Sequence, residues 1–165
     1  MSEPRRFLVA LEGTEDHSLP GRVAQVVGPG EPAVVTLLHV VESGPRELAG
    51  PDPALRRGPW PLPRRDAIER RFAEADDEAA ASLLALWRDR FAAAMPAASF
   101  EPLVASGRPE QEIVAAAGRL NTDAVILCAR PRTGPTEPGP RSVGHVARFV
   151  VDHSPVPVLL IRRSG

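Results

Sequence analysis

Three arginines, Arg130, Arg132 and Arg141, share one short stretch with Gly134 and Gly144. Guanidinium groups bind phosphate oxygens through a planar fork of donors, and glycine lets a backbone approach such a ligand closely. The stretch follows an apolar run, Asp123-Ala-Val-Ile-Leu-Cys-Ala-Arg130, and leads into an amphipathic one, Ser142-Val-Gly-His-Val-Ala-Arg-Phe-Val-Val151. That order reads as a buried strand, a loop and a helix. A helix N-terminus offers free N–H groups and a partial positive charge, which suit a phosphate. In an open parallel sheet, small molecules bind in the crevice at such strand ends. Against this stands Pro131, which lacks an N–H and holds φ fixed where a phosphate loop needs donors and freedom. The plainer reading of the arginines is a solvated surface loop, and both readings stay open.

Other residues with chemical potential are fewer. Glu12, Glu15 and Asp16 form an acidic turn that could hold magnesium beside a bound nucleotide, although acidic turns at strand ends are common. His145 falls in the first turn of the last helix, where it can touch a ligand. His153 lies two turns further on, about 80° around the axis, and reads as a cation at the helix C-terminus. His39 lies inside an apolar run with no ligand-type partner nearby, so it reads as a packed strand histidine. Cys128, at the end of a buried strand, reads as a small core residue. A redox-sensor role would need it to reach the crevice beside arginines. There is no Gly-x-Ser-x-Gly elbow, no zinc-protease motif and no informative Cys/His pair, so neither a catalytic set nor a metal site is expected.

Composition narrows the classes further. A chain of 165 residues with 43% hydrophobic and 25% charged residues suggests one globular domain with a sizeable core. A net charge of −1 gives no bulk field toward nucleic acid or an anionic membrane. All 20 basic residues are arginine, which excludes a Walker-type lysine and Schiff-base chemistry. With Cys128 as its one cysteine, the chain has no internal disulfide. Met-Ser-Glu-Pro-Arg-Arg leads straight into an apolar strand without a signal-peptide core, and no apolar run approaches the roughly 20 residues of a membrane span. The expected location is cytoplasmic, with no nucleic-acid or membrane partner.

The elements that would position these residues alternate. Phe7–Leu11 and Ala33–Val41 are continuous apolar runs, the mark of strands buried on both faces. Between them a short helix runs from Leu19 to Val27, with Ser18 as N-cap, Pro20 in its first turn and Gly28-Pro-Gly30 after it. Residues 43–65, rich in Pro, Gly and Arg, read as a long surface loop, in which Trp60 reads as an anchor on the core edge and, alternatively, as a lid or partner contact. A long helix from Asp66 to about Met95 carries an apolar stripe of Ile68, Phe72, Ala79, Leu83, Trp87, Phe91 and Met95, widened by Leu84 and Leu86. Pro96 stops it. Ser99–Ser106 is a third strand, placed at a sheet edge by Pro102. Pro109 opens the next helix, with Ile113, Val114, Ala117 and Leu120 on its buried face and Asn121 as its C-terminal cap. Ala124–Ala129 is the fourth strand. A last helix spans about Val143–His153, with Ser142 as N-cap and Val143, Val146, Ala147, Val150 and Val151 on its apolar face. Val158–Ile161 is the fifth strand. Strands alternating with helices imply an α/β fold on a parallel sheet.

Taken in order, several pieces resemble the universal stress protein family. They are Leu8-Val-Ala-Leu-Glu-Gly-Thr-Glu15, Leu37-Leu-His-Val-Val41, Gly107-Arg-Pro109 leading to Ile113, Gly144-His-Val-Ala147, and His153-Ser-Pro-Val-Pro-Val-Leu-Leu160. The resemblance spans the chain as one domain, 1–165, apart from the insert at 43–65. It implies a Rossmann-like, adenine nucleotide alpha hydrolase-like fold, a five-stranded parallel sheet of order 3-2-1-4-5 flanked by helices. It also implies a homodimer through the fifth strand, Val158, Leu159, Leu160 and Ile161.

One branch of that family binds ATP through a loop of the form Gly-x2-Gly-x9-Gly followed by Ser or Thr. Aligned on the fourth strand, this chain has Cys128 and Pro131 at the first two glycines; aligned backwards from Gly144, it has Pro131 and Gly134. Either way a glycine is lost, His145 replaces the hydroxyl residue, and Glu12 stands for the family's first-strand aspartate. The resemblance implies an adenine side formed by Ala10, Leu11, Glu12, Val40 and Leu127, and a phosphate side formed by Arg130, Gly134, Gly144 and His145. The expected function is binding rather than catalysis: an ATP switch, with Mg, acting through dimerisation and an unknown protein partner. Two competitors remain, an interaction module of the same fold without nucleotide, and a slow ATPase.

Overall fold

The computed structural model describes residues 3–42, 65–129 and 143–162, with the backbone alone over 65–73. The insert with Trp60, the loop with Arg130, Pro131, Arg132, Gly134 and Arg141, and the cap residue Ser142 lie outside the described residues, as do the side chains of Ile68 and Phe72.

The elements follow as β1 (Arg5–Leu11), α1 (Leu19–Val27), β2 (Ala33–Glu42), α2 (Arg65–Ala94), β3 (Ala98–Gly107), α3 (Pro109–Arg119), β4 (Ala124–Ala129), α4 (His145–His153) and β5 (Val158–Arg162). All strand pairs are parallel, and the sheet order is β3-β2-β1-β4-β5. Pro102 therefore sits on an edge strand, where a missing ladder donor is tolerated.

A parallel sheet must cover both faces, and the period-2 alternation of side chains divides the core in two. Phe7, Val9 and Leu11 of β1 pack with Val35 and Leu37 of β2 under α1 and α2. Leu8 and Ala10 join Leu38, Val125 and Leu127 under α3 and α4. α2 lays Ala80, Leu84, Trp87, Phe91 and Met95 on the sheet. Phe91 is fully buried, its ring centroid 6.2 Å from that of Trp87 and 6.0 Å from that of Phe100. The helix face differs from the expected stripe: Ala79 is exposed and Ala80 takes its place, and Leu86 is 49% exposed. In an alanine-rich turn the apolar period carries no phase, so the phase is set by Trp87 and Phe91.

The caps also differ in part from expectation. Ser18 occupies the N-cap of α1 without capping it; its hydroxyl bonds Asp16 instead. α4 begins at His145 rather than Val143, its N-cap is Gly144, and Val151 is 49% exposed. At the end of α3, Asn121 takes a left-handed φ of 47°. The Asn121 N–H donates to Gly118 O (3.4 Å) and the Thr122 N–H to Ala117 O (3.3 Å), the paired bonds of a Schellman motif. Asp123 then joins β4 to β1: its N–H donates to Arg6 O (2.8 Å) and its carboxylate accepts the Arg6 N–H (2.6 Å). That clamp sets the register that brings Ala10 beside Leu127. No helix among the described residues is long and apolar enough to cross a membrane.

Phe91→Ala should destabilise the fold by about 3–5 kcal/mol. Urea titration should show a lower midpoint with an unchanged slope.

Candidate functional site

β1 is the strand at which the sheet order turns back: its left and right neighbours, β2 and β4, come before and after long crossovers. The connections leaving the C-terminal ends of β1 and β4 diverge to opposite faces, which opens a crevice. A cleft of about 340 Å³ lies there, within the range of small-molecule sites. Its apolar floor is Ala10, Leu38, Val40 and Leu127. One wall is the first turn of α3, through Pro109 and Ile113, and the other is residues 143–147 at the start of α4.

The β1–α1 turn closes the cleft at one end. Gly13 has φ 91°, a left-handed conformation suited to glycine. The turn points two backbone N–H groups inward, and the Glu15 carboxylate accepts both, from Glu12 (2.5 Å) and Gly13 (2.8 Å). Glu15 is only 8% exposed, so these bonds replace the water its carboxylate has lost. Asp16 likewise turns back on the chain and accepts the Ser18 N–H at 2.7 Å. Two carboxylates of the acidic turn are thus engaged by their own backbone. Among the described residues no group of three or more His, Cys, Asp or Glu is placed to hold a metal ion, and Glu12, Glu15 and Asp16, which could have held magnesium, do not form such a group.

His39 stands beside that turn. It pairs with Leu11 in the β1–β2 register, and its ring Nδ1 lies 2.8 Å from Leu11 O. A carbonyl only accepts, so Nδ1 carries the proton. His39 lines the cleft and is half-buried, a place at the rim rather than the packed interior expected of it.

Two helices present their N-termini to the cleft, and they are not equivalent. α3 has Pro109 in its first turn, followed by Glu110 and Glu112. Proline removes a donor and the carboxylates offset the positive end of the dipole. α4 has no acidic residue in its first turn and no side-chain cap. Its N-cap, Gly144, has φ 93° and open space where a Cβ would stand. The first turn of α4 thus carries no charge that offsets its positive end, the kind of helix start that suits an anion.

Of the residues expected to form a site, Ala10, Leu11, Glu12, Val40, Leu127, Gly144 and His145 all line this one cleft. Arg130 and Gly134 lie outside the described residues. Cys128 also lines the cleft, half-buried. The structure adds His39, Glu15, Glu42, Pro109 and Ile113. Strand-end arithmetic points to three of these. His39 and Glu42 close β2, and Pro109 follows β3 at once, so all three reach the same edge of the sheet.

A family model described as the universal stress protein family matches residues 4–162. The chain belongs to that family. Universal stress protein UspA from Lactobacillus plantarum superposes with a TM-score of 0.66 at 21% identity, covering 98% of this chain and 100% of that one. A universal stress protein family member from Arabidopsis thaliana with AMP bound gives 0.63 at 18% identity, covering 98% and 94%. The universal stress protein from Archaeoglobus fulgidus in complex with dAMP gives 0.52 at 19% identity, covering 95% and 97%. At these identities the likeness is one of fold. Among curated proteins no sequence matches.

Glu15→Gln puts an amide donor against one of two backbone donors. It should cost about 1–3 kcal/mol, and the Glu12 and Gly13 amides should lose protection from hydrogen exchange.

Proposed function

We propose that this universal stress protein binds an adenine nucleotide, with ATP and its magnesium as the leading form, and works as a binding switch rather than as an enzyme. The observation that carries this reading is the cleft itself. An apolar floor of Ala10, Val40 and Leu127 suits a purine ring, and the start of α4 at Gly144 and His145, with no carboxylate in its first turn, suits a phosphate. Family relatives with AMP and with dAMP support the adenine class. Arg130 and Gly134, by their place in the sequence after β4, would complete the phosphate side.

Occupancy would be communicated through a homodimer built on the free edge of β5. Val158, Leu159 and Leu160 are each only half-buried, although the strand is apolar from Val158 to Ile161, and an open apolar edge invites pairing. The protein would act in the cytoplasm on a protein partner. A second reading has a specific observation behind it. Glu12, Glu15 and Glu42 give the cleft three carboxylates, which oppose a polyphosphate and favour an interaction module without nucleotide.

A thermal melt of the dialysed chain separates the two readings. Mg·ATP or AMP at about 100 times Kd adds about 2.7 kcal/mol, a rise of roughly 5–10 °C for a domain of this size, with GTP as control. No shift with either adenine nucleotide at millimolar concentration would leave the interaction module.

A further inference from the structure

We propose that Arg22 ties the cleft to the free edge of β5, so that a ligand beside the β1–α1 turn orders the end of that strand. The inference rests on the reading of the cleft as an adenine nucleotide site. Its basis is one bond between distant elements. Nη1 of Arg22, on α1, donates to the carbonyl oxygen of Arg162, the last residue of β5. The donor is charged, and such bonds are roughly twice as strong as neutral ones. Arg22 is half-buried and Arg162 is exposed, so the bond secures the end of an edge strand that faces solvent. Strand ends of this kind are among the first parts of a fold to open.

The same arginine is joined to the cleft through the start of its own helix. Its N–H donates to Ser18 O at 3.1 Å, and the Leu19 N–H donates to Asp16 O at 3.2 Å. Asp16 also holds Ser18 through its carboxylate. Glu15, which lines the cleft, accepts from the amides of Glu12 and Gly13. Ser18 makes no side-chain cap, so the first turn of α1 depends on the acidic turn before it. A ligand that fills the cleft up to this turn limits its motion, and with it the motion of the helix start that carries Arg22. Leu19 and Val23 share a core layer with Ile161, so packing follows the same route as the hydrogen bonds. Arg22 itself is not among the residues that line the cleft. It is a positioning residue, and the strand it positions is the one on which the proposed homodimer would pair.

Amide hydrogen exchange of the full chain, read by NMR with and without saturating AMP, tests this. In the wild-type chain AMP should slow exchange about fivefold or more at the amides that bond the C-terminal end of β5 to β4, the low end of coupling between sites. Arg22→Ala should abolish that slowing. The amides of Glu12 and Gly13 should still gain protection in this variant, and its affinity for AMP by isothermal titration should stay within about fivefold of wild type. Arg22→Lys, which keeps a charged donor, should retain part of the slowing at β5. Slowing at β5 that survives in Arg22→Ala, or its absence in a wild-type chain that binds AMP, would overturn the inference while leaving the site intact. Failure of AMP to bind the wild-type chain would overturn the nucleotide reading and this inference with it.

Discussion

A five-stranded parallel sheet must have both faces covered, and every feature of the cleft descends from that constraint. β1 meets it by alternation, sending Phe7, Val9 and Leu11 to one layer of helices and Leu8 and Ala10 to the other. Right-handed crossovers then decide where each helix goes. Moving from β1 through β2 to β3 places α1 and α2 on one face, and returning through α3 to β4 and β5 covers the other. At β1 the two directions part, and the connections that follow β1 and β4 lead to opposite faces of the sheet. The crevice is thus a by-product of covering the sheet, present before any residue is chosen for a ligand.

The acidic turn after β1 shows how local polar needs compete with a ligand for the same atoms. A turn that opens with Gly13 at positive φ exposes two N–H groups to the interior. Something must accept from them, because an unpaired buried donor costs about as much as a lost hydrogen bond. Glu15 does so from inside the chain. The turn is thereby rigid before any ligand arrives, and its peptide groups are spent on the protein. His39 acts in the same way at the end of the β1–β2 ladder, where Leu11 O would otherwise face the rim of the cleft.

Much of this was legible in the residue order. β4 is bounded by Asp123 and Arg130 as the apolar run suggests, and α1 by Ser18 and Gly28. The strand order followed from family resemblance, with Pro102 giving independent support for an edge. What escaped was phase and contact. The run Ala79-Ala80-Ala81 gives a helix no preferred face, and single valines or leucines at the margin of a stripe, Val151 and Leu86, need not reach the core. The start of α4 was misplaced because Ser142 is the better side-chain cap, whereas the chain enters the helix through the positive φ that Gly144 allows. The hydrogen bond between His39 and Leu11 was missed for a different reason. Its neighbour Leu11 is 28 residues away, and no spacing rule reaches across a parallel crossover.

The polarity of the cleft argues for one orientation of a nucleotide. The ends of β1 and β2 bring Glu12, Glu15 and Glu42, and α3 cancels its own positive end with Glu110 and Glu112. Phosphate groups placed there would face carboxylates across a partly dehydrated space, where like charges repel more strongly than in water. At the other wall α4 has no carboxylate in its first turn, and Gly144 leaves room for close approach. A nucleotide with its base on Ala10, Val40 and Leu127 would turn its phosphates toward that wall. The carboxylates, which oppose an anion, would then act as a guide. They would weaken the reversed pose more than this one, with the acidic end setting direction and α4 supplying attraction.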